Sequence, residues 1–214
     1  MAAHLVTLAF FFLLRVREYT PAPPQTRKQT IPLRLQDTKF WQGMEALPRH
    51  ATHEQRLGAS AVTINLANQK NGTRGDTLHH TRTGEPHFCP VAAAAHVIQP
   101  IAKAPLTTPI GSTHSPTGDP IRVTAAHIRS VIRHGAALDD LEAKGFHPSR
   151  IGSHSLRAGG AVALKLAGYD DTTICKLGRW SSNTFLIYIR NQIGNLSTGV
   201  ASAMSNALTY HNVG

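Results

Sequence analysis

The sequence predicts an α+β fold that is mainly helical, with a small antiparallel sheet near its start. Three observations predict it. Apolar residues recur at helical spacing through most of the second half, in runs opened by a Pro or a capping residue or stopped by a Gly. Val62, Ile64 and Leu66 alternate with Thr63 and Asn65, which is the period of a strand. Asn71-Gly72 then supplies a tight-turn signal before a second run, Asp76-Thr77-Leu78-His79, so the two runs form a hairpin.

In chain order, the apolar start predicts a helix from about Ala3 to Tyr19, ended by a loop containing Pro21, Pro23 and Pro24. Its apolar run, Ala2 to Leu14, is broken by His4 and closed by Arg15, so it is too short to span a bilayer. It has no basic leader and no small-residue cleavage site, which argues against a signal peptide. A helix apolar on all sides needs several neighbours, so the chain is expected to begin inside a longer ancestral domain. Ile31-Pro32-Leu33-Arg34-Leu35 predicts an edge strand, the position that tolerates its proline. The hairpin follows, with Lys70 near its tip. Pro90 opens a helix to about Ile98, because proline suits the first turn. Pro105 to Pro120 is read as a loop. Thr124 caps a helix that places Ile128, Val131 and Ile132 on one face. Ser153 caps a helix from His154 to about Ala167, stopped by Gly168. Further helices are expected from Asp171 to Leu177, from Ser182 to about Gln192, and from about Ser197 to Leu208.

The chain has 214 residues, enough to bury a core without covalent staples. Its two cysteines, Cys89 and Cys175, are too few for a disulfide framework and point to a reducing intracellular compartment. The formal net charge of +10 argues for an anionic partner, nucleic acid before an acidic membrane. The sequence lacks a Walker loop, a dinucleotide glycine fingerprint and a Gly-x-Ser-x-Gly elbow. His79, His80, His87 and Cys89 fit no zinc spacing and read better as hairpin histidines and a buried thiol.

Certain residues carry chemistry. His154 and Arg157, three apart at a helix start, share a face where free amides and the helix dipole favour a phosphate. Arg can grip two phosphate oxygens with its planar fork. Arg15 is expected at the end of the first helix, where Glu18 can pair with it and fix its orientation. Lys70 on a hairpin can reach a DNA groove and protonate a leaving oxygen, though a turn lysine more often only solubilises. Tyr188 falls at the edge of an apolar helix face marked by Phe185, Ile189 and Ile193, half exposed as a nucleophile should be. Each feature alone has an ordinary reading as a surface or boundary residue.

Their order along the chain is more specific. It runs Leu-Arg-x-x-Glu, then a hairpin Lys, then His-x-x-Arg, then Gly-Arg-Trp, then Tyr. This resembles the catalytic domain of the tyrosine recombinase, or phage integrase, family across nearly all of residues 1–214. The wording Phe11-Phe12-Leu13-Leu14-Arg15-Val16-Arg17-Glu18-Tyr19 and Gly178-Arg179-Trp180-Ser181-Ser182 is most like the Crypton and DIRS-type recombinases of eukaryotic mobile elements.

The resemblance implies roles. Arg15 and Arg157 would clamp the scissile phosphate, and His154 would bond to it and assist proton transfer. Lys70 would protonate the departing 5′ oxygen, and Tyr188 would attack phosphorus to give a 3′-phosphotyrosyl link. Glu18 resembles the acidic residue that steadies the first Arg. The family places a His or Trp nine residues before the nucleophile, where Arg179 stands here, whereas Trp180 has the right residue type but lies eight before Tyr188. Trp180 with a one-residue deletion is favoured, and Arg179 is the alternative.

The family's amino-terminal DNA-clamping domain and the catalytic domain's own first helix are expected to be missing. The implied partner is double-stranded DNA, bound by a homotetramer whose last helix packs on a neighbour, and the implied compartment is the nucleus. No membrane partner is expected. The covalent link conserves the energy of the phosphodiester, so no cofactor is needed. Two rival functions share this sequence pattern: an inactive DNA-binding remnant, and a type IB topoisomerase-like activity.

Overall fold

The structure, a computed structural model, describes residues 1–21, 30–67, 75–145, 147–180 and 186. The chain divides into two compact units, Met1–Arg157 and Ala158–Gly214. The fold is α+β, mainly helical, with a small antiparallel sheet.

The first unit opens with helix α1, Ala2–Phe11. Leu5, Leu8 and Ala9 of α1 are fully buried, together with Phe12, Leu13 and Leu14 just beyond it. Burying a leucine of this kind stabilises the fold by about 1.5–3 kcal/mol. Their partners come from α3, Pro90–Ile98, and α4, Ala125–Leu138, both of which contact α1. The all-round apolar character of the first helix is thus matched by neighbours on more than one side.

The sheet runs in the order β2-β1-β3-β4, all antiparallel. Its strands are β1, Thr38–Gln42, β2, Glu45–Ala46, β3, Ala61–Leu66, and β4, Asp76–Thr81. In register, Phe40 faces Val62 and Val62 faces His80. The expected hairpin is therefore present as β3 and β4. Strand β3 has more than one buried face: Ala61, Val62, Thr63, Ile64 and Leu66 are buried and Asn65 is exposed. Thr63 tolerates burial because its hydroxyl accepts from Trp41 Nε1 at 2.7 Å and meets His79 Nδ1 at 3.2 Å.

Helix α2, His53–Gly58, carries a reciprocal cap in which Thr52 accepts from the Gln55 amide and Gln55 returns the bond. Thr124 caps α4 as expected, accepting from the His127 amide. A small hairpin pairs β5, Ser112–His114, with β6, Pro120–Arg122.

Three expectations are corrected in this unit. The first helix stops at Phe11 and does not continue to Tyr19. The Ile31–Leu35 run makes no strand; Arg34 forms an isolated bridge with Pro109, and a 3-10 turn covers Leu35–Asp37. Asp37 holds that turn by accepting from the Arg34 amide and side chain, a local alternative to sheet pairing. The region read as a loop from Pro105 to Pro120 contains β5 and the start of β6.

The boundary between the units falls within helix α5, Ser153–Leu166. In the second unit, Gly168 at φ +85° ends that helix, a backbone conformation glycine adopts without a Cβ penalty. Helix α6, Asp171–Gly178, starts at a cap in which Asp170 accepts from Thr173. Ala161 and Ile174 form the centre of a cluster completed by Val162, Leu164, Cys175, Trp180 and Leu186. The expected helices from Ser182 and from Ser197 lie outside the described residues, apart from Leu186, which is helical.

Candidate functional site

The site begins where α1 ends. The Leu14 amide bonds to the Ala9 carbonyl and the Leu13 amide to that of Phe10, the double bond of a left-handed helix stop. The residue in the left-handed conformation is Leu13, at φ +48°. A non-glycine residue there costs about 1–2 kcal/mol. The turn takes the Leu13 carbonyl out of the helical ladder and sets the following chain extended.

Arg15 therefore stands in extended backbone, not at a helix C-terminus as expected. It heads a 3-10 turn, Val16–Glu18, whose closure depends on Glu18. The Glu18 carboxylate accepts from the Arg15 amide at 2.8 Å and from Arg15 Nη1 at 3.1 Å. Glu18 is 1% exposed and Arg15 is 23% exposed, so the carboxylate is an interior anchor and the guanidinium retains access to solvent. The pairing expected from the three-residue spacing is present. Beyond it, Tyr19 is fully buried, and a Cβ on Gly111 would lie 2.7 Å from the Tyr19 carbonyl, so glycine is needed for that close approach.

Helix α5 supplies the second half of the site. Its first residue is Ser153, so Ser153 is not the cap; Ser155 reaches back and its hydroxyl accepts from the Gly152 amide at 3.1 Å. His154 is exposed in the first turn. Arg157, one turn on, is 3% exposed, and its Nη1 donates to the Leu13 carbonyl. Partial desolvation of the imidazole, which keeps one side open to solvent, and then the positive charge of Arg157 hold the His154 pKa below the ordinary histidine value of 6.5. At neutral pH His154 is thus the neutral imidazole, one nitrogen a donor and the other an acceptor.

The structure brings Arg157 against the backbone two residues before Arg15, with His154 near enough to feel its charge and Glu18 orienting Arg15. His154 and Arg157 thus stand together in the first turns of a helix, a setting suited to an anion, and Arg157 is tied to the chain segment that leads into Arg15. The Leu13 carbonyl is the part that sequence reasoning missed. Nothing in the run Phe10 to Leu14 marks a left-handed residue, since it contains neither Gly nor Asn.

Trp180 and Arg179 belong to the second unit. Arg179 ends α6 in the left-handed region at φ +55°, is buried, and donates through Nη1 to the Leu177 carbonyl at 3.2 Å. The Trp180 indole lies directly over Gly178 and packs on the Ala161 and Ile174 cluster. Lys70 and Tyr188 lie outside the described residues. Among the described residues no group of His, Cys, Asp or Glu side chains has the arrangement of a metal site. No described helix is long and apolar enough to cross a membrane.

No family model matches the chain, and no curated protein matches it. Among solved structures it is similar to the integrase of the Tn1549 transposon in complex with a circular-intermediate DNA, at 14% identity and a TM-score of 0.41. The match covers 86% of this chain and 52% of the integrase chain in that structure, a fragment of residues 82–397, so the chain spans about half the length of that fragment. The functional reading accordingly rests on the residues themselves.

Proposed function

We propose that the chain is a tyrosine recombinase catalytic domain that breaks and rejoins double-stranded DNA. The observation that carries this reading is the bond from Arg157 to the Leu13 carbonyl. It joins the His-x-x-Arg helix to the segment bearing Arg15 across most of the chain. A phosphate clamp requires two arginines far apart in sequence to act on one phosphate, and this bond is what supports Arg15 and Arg157 as that pair.

In this mechanism Arg15 and Arg157 hold the non-bridging oxygens of the scissile phosphate, and neutral His154 adds a hydrogen bond. The transition state gathers negative charge on those oxygens, and fixed donors stabilise it without reorganising. Tyr188 Oη attacks phosphorus and the 5′ oxygen departs with a proton from Lys70, leaving a 3′-phosphotyrosyl bond. A tyrosine of pKa about 10 needs a positive site to ionise near neutrality, and the clamp supplies it. A 5′ hydroxyl of a second strand then displaces Tyr188 and restores the phosphodiester. Trp180 is the favoured further donor.

The Crypton or DIRS-type origin, a tetramer on DNA and a nuclear location are part of the same proposal. The origin and the nuclear location rest on the wording around Arg15 and Trp180, and the tetramer on the resemblance to the recombinase family. The test is a duplex nicked just 3′ of the cleavage position, drawn from a pool of sequences. The chain should become covalently attached to DNA and Tyr188→Phe should not. Absence of an adduct across the pool would favour the DNA-binding remnant. Relaxation of supercoils by the monomer, without strand exchange, would favour the topoisomerase-like activity.

A further inference from the structure

A second basic feature of the first unit shares no residue with the Arg15 and Arg157 cluster. The segment before α2, α2 itself and the turn after α3 enclose a cleft of about 630 Å³. That size lies within the range of ligand clefts, about 300–1,000 Å³. Its ionisable lining is wholly basic: Arg49, His50, His53, Arg56 and Lys103.

Arg56 is the informative member. It is 7% exposed, yet among the described residues no carboxylate pairs with it. Its Nη2 donates to the Arg49 carbonyl at 3.0 Å, which satisfies one of its five N–H groups. An arginine cannot discharge by losing its proton, so a nearly buried guanidinium without a counter-ion is costly unless an anion is supplied. His53 adds a second unmet group, since its buried Nδ1 has no hydrogen-bond partner among the described residues. The nearby acid, Glu54, is outside the lining; its own backbone amide and then the Thr52 hydroxyl hold its carboxylate, lowering its pKa. A general excess of surface lysine and arginine would explain Arg49 and Lys103 but would not bury Arg56.

We infer that this cleft binds a phosphate group, with Arg56 as its interior cation and Arg49 and Lys103 at its mouth. Guanidinium forks match phosphate oxygens in pairs, and several cations around one cleft suit a multiply charged ligand better than a single carboxylate. The phosphate can come from a nucleic-acid backbone or from a free nucleotide or pyrophosphate. The inference stands apart from the recombinase reading, because it uses none of that reading's residues.

The test is calorimetric titration of the full chain with pyrophosphate at low salt. Arg56→Gln can unfold the chain, so the decisive variant is Arg49→Gln/Lys103→Gln, both positions being exposed. The double variant should keep its unfolding midpoint and lose pyrophosphate affinity by about tenfold or more, whereas Arg15→Gln should keep that affinity. Wild type that binds no pyrophosphate, a double variant that binds as wild type does, or loss of binding in Arg15→Gln would each overturn the assignment. Duplex binding over a salt series separates the sources. A slope of log affinity against log salt that falls by about two in the double variant assigns backbone phosphate. An unchanged slope with lost pyrophosphate binding assigns a free phosphate compound. Failure of the chain to cleave nicked DNA would leave both results unaffected.

Discussion

The guanidinium of Arg157 donates to the carbonyl of Leu13, a residue that α1 has released by turning left-handed. One buried cation thus holds the end of the first helix and stands beside the segment that carries Arg15. Removing it should have a structural and a chemical consequence. A hydrogen bond to a charged donor contributes about 1.5–3 kcal/mol, so Arg157→Ala should lower stability by that order in urea unfolding. DNA cleavage should fall by about 10²–10³, the usual effect of deleting one donor to a developing oxyanion. Arg157→Lys should recover more of the stability than of the cleavage, because it keeps charge and loses the fork. Equal recovery of both would argue against a phosphate role.

Glu18 fixes Arg15 through both carboxylate oxygens. Glu18→Gln preserves shape but leaves a single acceptor oxygen for two donors. The expected loss is about 1–3 kcal/mol, with reduced cleavage of nicked DNA. Glu54→Gln, at an exposed surface position, is the control and should leave cleavage unchanged.

Stability should fall on mild acidification. Burial is the main cause that holds His4, His80, His96 and His154 below the ordinary value of 6.5. Charge repulsion with His96, His79, His53 and Arg157, respectively, acts in the same direction, while at His80 a backbone hydrogen bond with Phe11 opposes. The folded state therefore binds fewer protons than the unfolded chain once the pH drops below about 6.5. The stabilisation is complete above that pH and is lost as pH falls through the folded-state values. Urea midpoints should be level above about pH 7 and decline below about pH 6. His80→Gln should show a shallower decline; a flat profile for wild type would contradict the account.

A methyl on Gly178 would overlap the Trp180 ring, so Gly178→Ala must move the indole. The expected cost is about 1–3 kcal/mol, read by thermal unfolding. In a Trp41→Phe background the fluorescence should shift to the red as Trp180 leaves its cluster. If Trp180 assists cleavage, Gly178→Ala and Trp180→Ala should be non-additive in rate, because both remove the same donor.

Much of the fold was legible where local chemistry dictates structure. Pro90 opened α3, Thr124 capped α4, and the alternation through Val62, Ile64 and Leu66 gave β3. The end of α1 was not legible, because apolar residues continue through Leu14 and no Gly or Asn marks the left-handed turn at Leu13. Strand β1 was missed since Lys39 and Gln42 are polar and Phe40 alone of its residues is buried. The Ile31–Leu35 run misled because an alternating pattern cannot reveal that Asp37 will take the Arg34 amide. For the site, spacing sufficed for Arg15 with Glu18 and for His154 with Arg157. It did not indicate what joins the two pairs. The cleft around Arg56 had no sequence signal either, since its cations come from separate segments.

In the proposed mechanism Tyr188 attacks DNA phosphorus with Arg15 and Arg157 holding the phosphate. The most direct measurement is to trap the chain on nicked duplex, digest the adduct, and identify by mass spectrometry the residue that bears the 3′ phosphate. Tyr188 is the residue expected, with the adduct absent in Tyr188→Phe and strongly reduced in Arg157→Ala. A phosphate on another residue, or an adduct that persists in Tyr188→Phe, would contradict it.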